Sequence, residues 1–105
     1  MFARKYRLPI SETRKKIVRT YSSAFFLLKI FDSPFPYNRF AVIIGKNAAK
    51  KSTDRHLWKR RILAIAGKLP NLRKDFLFIV SPRINAASFQ ELRVEIDKAL
   101  AKIEN

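Results

Sequence analysis

The densest chemistry in the chain lies between Gly45 and Ile62, where seven Lys or Arg residues stand against one acid, Asp54. Lys46, Lys50 and Lys51 come first; Arg55, Lys59, Arg60 and Arg61 follow, with His56 among them. Guanidinium and ammonium groups held in such a row suit phosphate oxygens, donating charge-assisted hydrogen bonds and displacing counterions from a polyanion. A merely solvated helix face would interleave acids at i,i+4, because like charges at that spacing cost stability. Those acids are nearly absent here, so the ridge reads as a surface for nucleic acid. Neutralising about five phosphates would give a log–log salt slope of roughly −3.5 to −4.5.

Side chains suited to hydrolysis are not grouped in this way. Glu12, Asp32, Asp54 and Asp75 are scattered along the sequence, and His56 has no evident carboxylate partner. A protein-only nuclease would need a metal-binding acid cluster or a His/Lys/Glu set. With no Cys and a single His, disulfide scaffolds, thiolate zinc sites and cysteine nucleophiles are excluded. His56 is read as an RNA contact or an exposed side chain.

The elements that must position the ridge can be read from punctuation and periodicity. A helix is expected from Ser52 to Ala66, with Ser52, Thr53 and Asp54 as N-cap candidates and Gly67 as its stop. Trp58, Ile62, Ile65 and Leu69 form its buried stripe, and Lys51, Arg55 and Lys59 a positive edge beside it. Strands are expected at Ser22–Phe31, Arg39–Gly45 and Asp75–Val80, the first two joined as a hairpin through the proline-rich Asp32–Asn38 turn. A short surface helix is expected from Ile10 to Thr20, with Ser11 and Glu12 at its start. The closing helix, Ser88 to Ile103, opens on a Ser88–Glu91 capping box and buries Phe89, Leu92, Ile96, Ala99, Leu100 and Ile103.

The order α-β-β-α-β-α describes an α/β two-layer sandwich with helices mostly on one face of a sheet, a single domain over 1–105. In the first strand Phe26, Leu28 and Ile30 point one way, and Phe25, Leu27 and Lys29 the other. The second set suits either a partly open face for single-stranded nucleic acid or a second core layer.

Composition bounds the rest. The 105 residues carry 23 Lys+Arg and 8 Asp+Glu, a formal charge of +15. Residues 1–83 hold +16 of it, while 84–105 sum to −1. Charge of that size repels itself, so a polyanionic partner is the economical explanation. Hydrophobic residues at 48%, with nine Phe, separate the chain from disordered basic tails. The apolar run Ala24–Phe31 is interrupted by Lys29, too short to span a bilayer and too late for a signal peptide. A cytoplasmic protein is expected, with no membrane and no small-molecule substrate.

The strand Arg39–Gly45 followed by Lys46, Lys50, Lys51, Arg55, Lys59, Arg60 and Arg61 resembles the bacterial ribonuclease P protein subunit. The opening Arg7-Leu8, the late strand Asp75–Arg83 and the helix start Ser88–Leu92 are similar to that family as well. His56 stands where Asn is usual in the family's Arg-Asn-Arg motif, and Leu57 replaces its second Arg. The family's leader-contacting aromatic pair falls on Arg14 and Val18, so leader contact would pass to charge and to Phe25 or Lys29. The resemblance implies the family's fold, with an unusual crossover into the basic helix. It implies an accessory subunit of an endoribonuclease, bound to ribonuclease P RNA and to precursor tRNA, with Lys46, Lys50, Lys51, Arg55, His56, Lys59, Arg60 and Arg61 on RNA. Hydrolysis would belong to the RNA and its Mg2+, with no catalytic residue and no metal in the protein. The alternative function is that of a non-catalytic ribosomal or other structured-RNA-binding protein.

Overall fold

A computed structural model describes residues 4–104, the side chains of Arg4, Ile103 and Glu104 aside. Four strands, β1 (Arg19–Ser22), β2 (Phe26–Asp32), β3 (Arg39–Ile43) and β4 (Lys74–Val80), form one sheet in the order β1-β2-β4-β3. Helix α1 (Ser52–Ala66) lies between β3 and β4 in sequence, and α2 (Phe89–Glu104) closes the chain. β1 and β2 pair antiparallel, as do β2 and β4, whereas β3 runs parallel to β4.

Alternation along the strands divides the sheet into two faces. Phe26, Leu28, Ile30, Phe40, Val42, Phe76, Phe78 and Val80 point under the helices and meet Trp58, Ile62, Ile65, Leu92, Ile96 and Ala99. Ile62, Leu92, Ile96 and Ala99 are fully buried, which is the reason the apolar stripes of α1 and α2 specify where the helices sit. Burying each of the leucine and isoleucine side chains is worth about 1.5–3 kcal/mol. The opposite face is thinner. Phe31, Ala41 and Leu77 are covered there by Leu8 of the N-terminal segment.

Two expectations about topology are corrected. No helix forms over Ile10–Thr20: Ile10–Thr13 is a single 3-10 turn, and the chain then bends into β1. Arg14, Lys15, Lys16 and Arg19 offer like charges without an apolar stripe, while Val18 and Thr20 are β-branched and lie beside the edge of β2. The Val18 N–H donates to the Ile30 carbonyl at 2.7 Å, extending the pairing. The element order is therefore β-β-β-α-β-α, with 3-10 turns before it. The hairpin also lies elsewhere. β1 and β2 make it across Ser23–Phe25, and β4 inserts between β2 and β3. Pro34 and Pro36 keep the Asp32–Asn38 connection from tightening into a two-residue turn.

The two long helices match their expected spans, with local differences. Lys51 is the N-cap of α1 and makes no side-chain cap bond, so Ser52, Thr53 and Asp54 lie inside the helix. Gly67 ends it, its N–H donating to the Leu63 carbonyl at 2.8 Å. The capping box is present in both directions: Ser88 N–H donates to Glu91 Oε1 (3.0 Å), and Glu91 N–H donates to Ser88 Oγ (3.1 Å). Phe89, expected in the buried face, is 42% exposed at the first turn of α2. Ile103 lies outside the described side chains.

Candidate nucleic-acid interface

The link from β3 to α1 is a turn closed on the Gly45 carbonyl, which accepts from the Ala48 (3.0 Å) and Ala49 (3.1 Å) N–H groups. Ala48 and Ala49 are buried and leave Lys46 and Lys50 outside. Two side chains pin this turn. Arg55 Nη1 donates to the carbonyls of Ala49 (2.8 Å) and Lys50 (2.9 Å). Asn85 Nδ2, from the 3-10 turn Pro82–Ala86, donates to the Ala48 carbonyl.

Along α1 the buried positions Trp58, Ile62 and Ile65 turn His56, Lys59 and Arg60 to solvent. Arg61 takes the other flank, its guanidinium 4.9 Å from the Trp58 ring and 5.9 Å from the Phe89 ring. That cation–π contact joins α1 to the start of α2. Lys46, Lys50, Lys51, His56, Lys59 and Arg60 are thus exposed as one ridge, while Arg55 and Arg61 are half-buried in protein contacts. The first-turn N–H groups of α1 have no side-chain cap at Lys51 and add partial positive charge to the same end.

Of the remaining candidates, Lys29 lies on the face of the sheet away from the helices. Lys29 is half-buried in the middle of β2, paired in register with Thr20 and Leu77. Val18 is 46% exposed beside it, and Arg14 is exposed at the end of the 3-10 turn. Phe25 is not with them. It precedes the regular strand and packs against the helix-side core, next to Gln90, Glu91 and Val94 of α2. The alternation starts at Phe26, so Phe25 does not share the side of Leu27 and Lys29 as expected.

At one end of this face sits a cluster that the sequence pattern did not single out. Phe31, Asp75 and Arg39 occupy one row across β2, β4 and β3. Arg39 is 3% exposed and Asp75 fully buried. Arg39 Nε donates to Asp75 Oδ1 (2.9 Å), and its Nη2 to Asp75 Oδ2 (2.8 Å) and Glu12 Oε1 (2.9 Å). Lys15 Nζ completes the set on Asp75 Oδ2 (2.7 Å) and the Asp32 carbonyl (2.9 Å). Burial opposes ionisation of Asp75, but hydrogen bonds from Arg39 and Lys15 outweigh it and hold the carboxyl below its ordinary range. The Asp75 hydrogen bond likewise holds the Arg39 guanidinium above its usual value, against burial, with Glu12 adding to it. A signal was available: Arg39 and Asp75 open two apolar strands with opposite charges. Glu12 and Asp75, far apart in sequence, therefore meet in space on a cation. Among the described residues no three His, Asp or Glu side chains assemble as a metal site. No helix among them is long and apolar enough to cross a membrane.

Comparison with known proteins shows the family of the chain. The family model described as Ribonuclease P matches residues 2–104. The chain belongs to the ribonuclease P protein family. A ribonuclease P protein component from Pseudanabaena sp. is 35% identical over 86 residues, covering 78% of this chain and 74% of that protein. The fold is shared with solved structures at low identity. An RNase P protein of Staphylococcus aureus, a mutant with defective mRNA degradation activity, has a TM-score of 0.81 at 15% identity over 95% of this chain and 89% of that one. The Thermotoga maritima RNase P protein has a TM-score of 0.68 at 20% identity, over 83% and 84%. The chain is accordingly a protein subunit of ribonuclease P, the endoribonuclease holoenzyme that matures the 5′ end of tRNA. Ribonuclease P RNA and precursor tRNA are the partners that go with membership in this family.

Proposed function

We propose that the chain acts as one RNA-binding domain with two working surfaces. Lys46, Lys50, Lys51, His56, Lys59 and Arg60 bind the phosphates of ribonuclease P RNA directly. Arg55 serves them by bracing the crossover backbone, and Arg61 by fixing α1 against Trp58 and Phe89. The sheet face that carries Lys29, with Arg14 and Val18 at its rim, receives the single-stranded 5′ leader of precursor tRNA; Phe25 has no part in it. Hydrolysis is carried out by the RNA and its Mg2+ in the cytoplasm, and the protein contributes by offsetting repulsion between two RNAs.

The observation that carries this reading is the ridge itself: six exposed cationic or imidazole side chains on a helix and turn whose other side is buried in the core. A rigid cationic surface meets phosphate without first having to order. The test is cleavage of precursor tRNA by ribonuclease P RNA at low Mg2+ with wild-type protein and a Lys50/Lys59/Arg60→Ala variant. Wild-type protein rescues cleavage at the mature 5′ end. The triple variant, folded by circular dichroism, binds the RNA at least about tenfold more weakly, each lost phosphate contact weakening binding and flattening the salt slope. Unchanged RNA affinity in the folded variant would falsify the ridge assignment.

A further inference from the structure

The segment from Pro9 to Ile17 has no regular structure beyond one 3-10 turn, yet it borders the face proposed to take the leader. The Leu8 N–H is bonded to the Phe40 carbonyl at 2.8 Å, and the Val18 N–H to the Ile30 carbonyl at 2.7 Å. Between those points, among the described residues, only Glu12 and Lys15 tie the segment to the sheet by hydrogen bonds. Both ties end on the same buried pair. Glu12 is held by Arg39, and Lys15 by Asp75 and the Asp32 carbonyl. Lys15 also lies 6.0 Å from the centre of the Phe31 ring on the floor of that face.

Nothing in the proposed RNA contacts uses this cluster. The Arg39 guanidinium is buried and committed to two carboxylates, so it is not a phosphate ligand. The Lys15 ammonium, on a side chain 33% exposed, is neutralised by Asp75. What the arrangement does is mechanical. Two cations and two carboxylates from three distant stretches of chain fix the height and direction of a segment with no helix to stiffen it.

We propose that Glu12, Lys15, Arg39 and Asp75 form a clamp that sets the Ile10–Val18 segment as a wall of the leader face. They are positioning residues for leader recognition without touching RNA. This inference rests on the leader-face reading above. A wall fixed beforehand saves the ordering that a free loop would undergo on binding, and a misplacement of about 1 Å is enough to weaken a positioned contact strongly.

The test uses the reconstituted holoenzyme and compares affinity for precursor tRNA with affinity for the same tRNA lacking its leader. Glu12→Ala and Lys15→Met are chosen because both sites are partly exposed and each leaves the Arg39–Asp75 pair intact. The clamp requires each variant to lose leader-dependent affinity, by about tenfold, with ribozyme affinity and the rate at saturating substrate unchanged. Lys15→Arg restores it. Glu12→Ala separates clamp from plain electrostatics by sign: removing an acid beside RNA should strengthen binding by charge alone, whereas a lost tether weakens it. Leader-dependent affinity equal to wild type in either variant, or stronger in Glu12→Ala, overturns the clamp. A wild-type holoenzyme that binds both substrates equally overturns the leader-face reading, and the clamp with it.

Discussion

Asp75 is the buried carboxylate at the centre of the cluster at the end of the sheet. It is fully buried and accepts from Arg39 twice and from Lys15 once. Removing one partner of such a pair strands the other, so Asp75→Asn should cost about 3–5 kcal/mol, with an Arg39→Met/Asp75→Leu double variant recovering much of it. The pH dependence has a definite sign. The carboxyl is held below its ordinary range in the fold, so the unfolded chain binds its proton first as pH falls. The stabilisation is complete above the unfolded pKa of about 3.9 and is lost as pH drops through the folded value. Thermal melts should therefore fall steeply below about pH 4 in the wild type and less steeply in the double variant. An equal acid slope in both would remove Asp75 from the account. In sequence Asp75 looked like one of four scattered acids, because pairing across strands depends on a register that a one-dimensional reading lacks. The ridge residues were legible for the opposite reason: Lys46 to Arg61 are contiguous, and their meaning lies in local spacing. Even there Arg55 and Arg61 could not be told apart from their neighbours, since their half-burial comes from the crossover backbone and from Phe89.

Elements with strong local signals matched their expected spans, and those decided by long-range competition did not. α1 and α2 carry apolar stripes at helical spacing, and Gly67 stops α1, so their spans followed from pattern alone. The Ile10–Thr20 segment had only weak start signals; the free edge of β2 and the buried Asp75 drew its residues into a strand and a clamp. The β2–β4–β3 arrangement was equally out of reach, because inserting β4 between two strands adjacent in sequence is settled by how α1 packs. The capping box offers a measurement at this scale. Ser88→Ala removes the acceptor for the Glu91 N–H and should lower stability by roughly 1 kcal/mol. Denaturant titration would show it as a shifted midpoint with an unchanged slope. A Glu91→Ala variant that behaves alike would tie the effect to the box, since the reciprocal bond runs from the Ser88 N–H to Glu91 Oε1.

At the scale of the whole molecule, charge is distributed by role. The first 83 residues carry +16, and the remaining 22, most of them in α2, sum to −1. α2 has both acids and bases and works through its buried face, whereas α1 and its crossover have one acid among their cations. The positive field is therefore not a general coat, and α2 presents the less basic side. Binding dominated by such a field releases counterions, so RNA affinity should fall linearly on a log–log salt plot, with a slope of roughly −3.5 to −4.5 if about five phosphates are neutralised. Each ridge cation replaced by Ala should reduce that slope by close to one, whereas Asp97→Asn on α2 should leave it unchanged. Filter binding across a salt series distinguishes the two. A slope near −1, or one insensitive to Lys59 and Arg60, would mean that base stacking or shape on the sheet face carries the affinity. The same field should lower the Mg2+ concentration that cleavage requires, since cations fixed on α1 screen phosphate repulsion that free Mg2+ must otherwise offset. Losing ridge charges should then raise the Mg2+ concentration needed for half-maximal cleavage in step with the loss of slope.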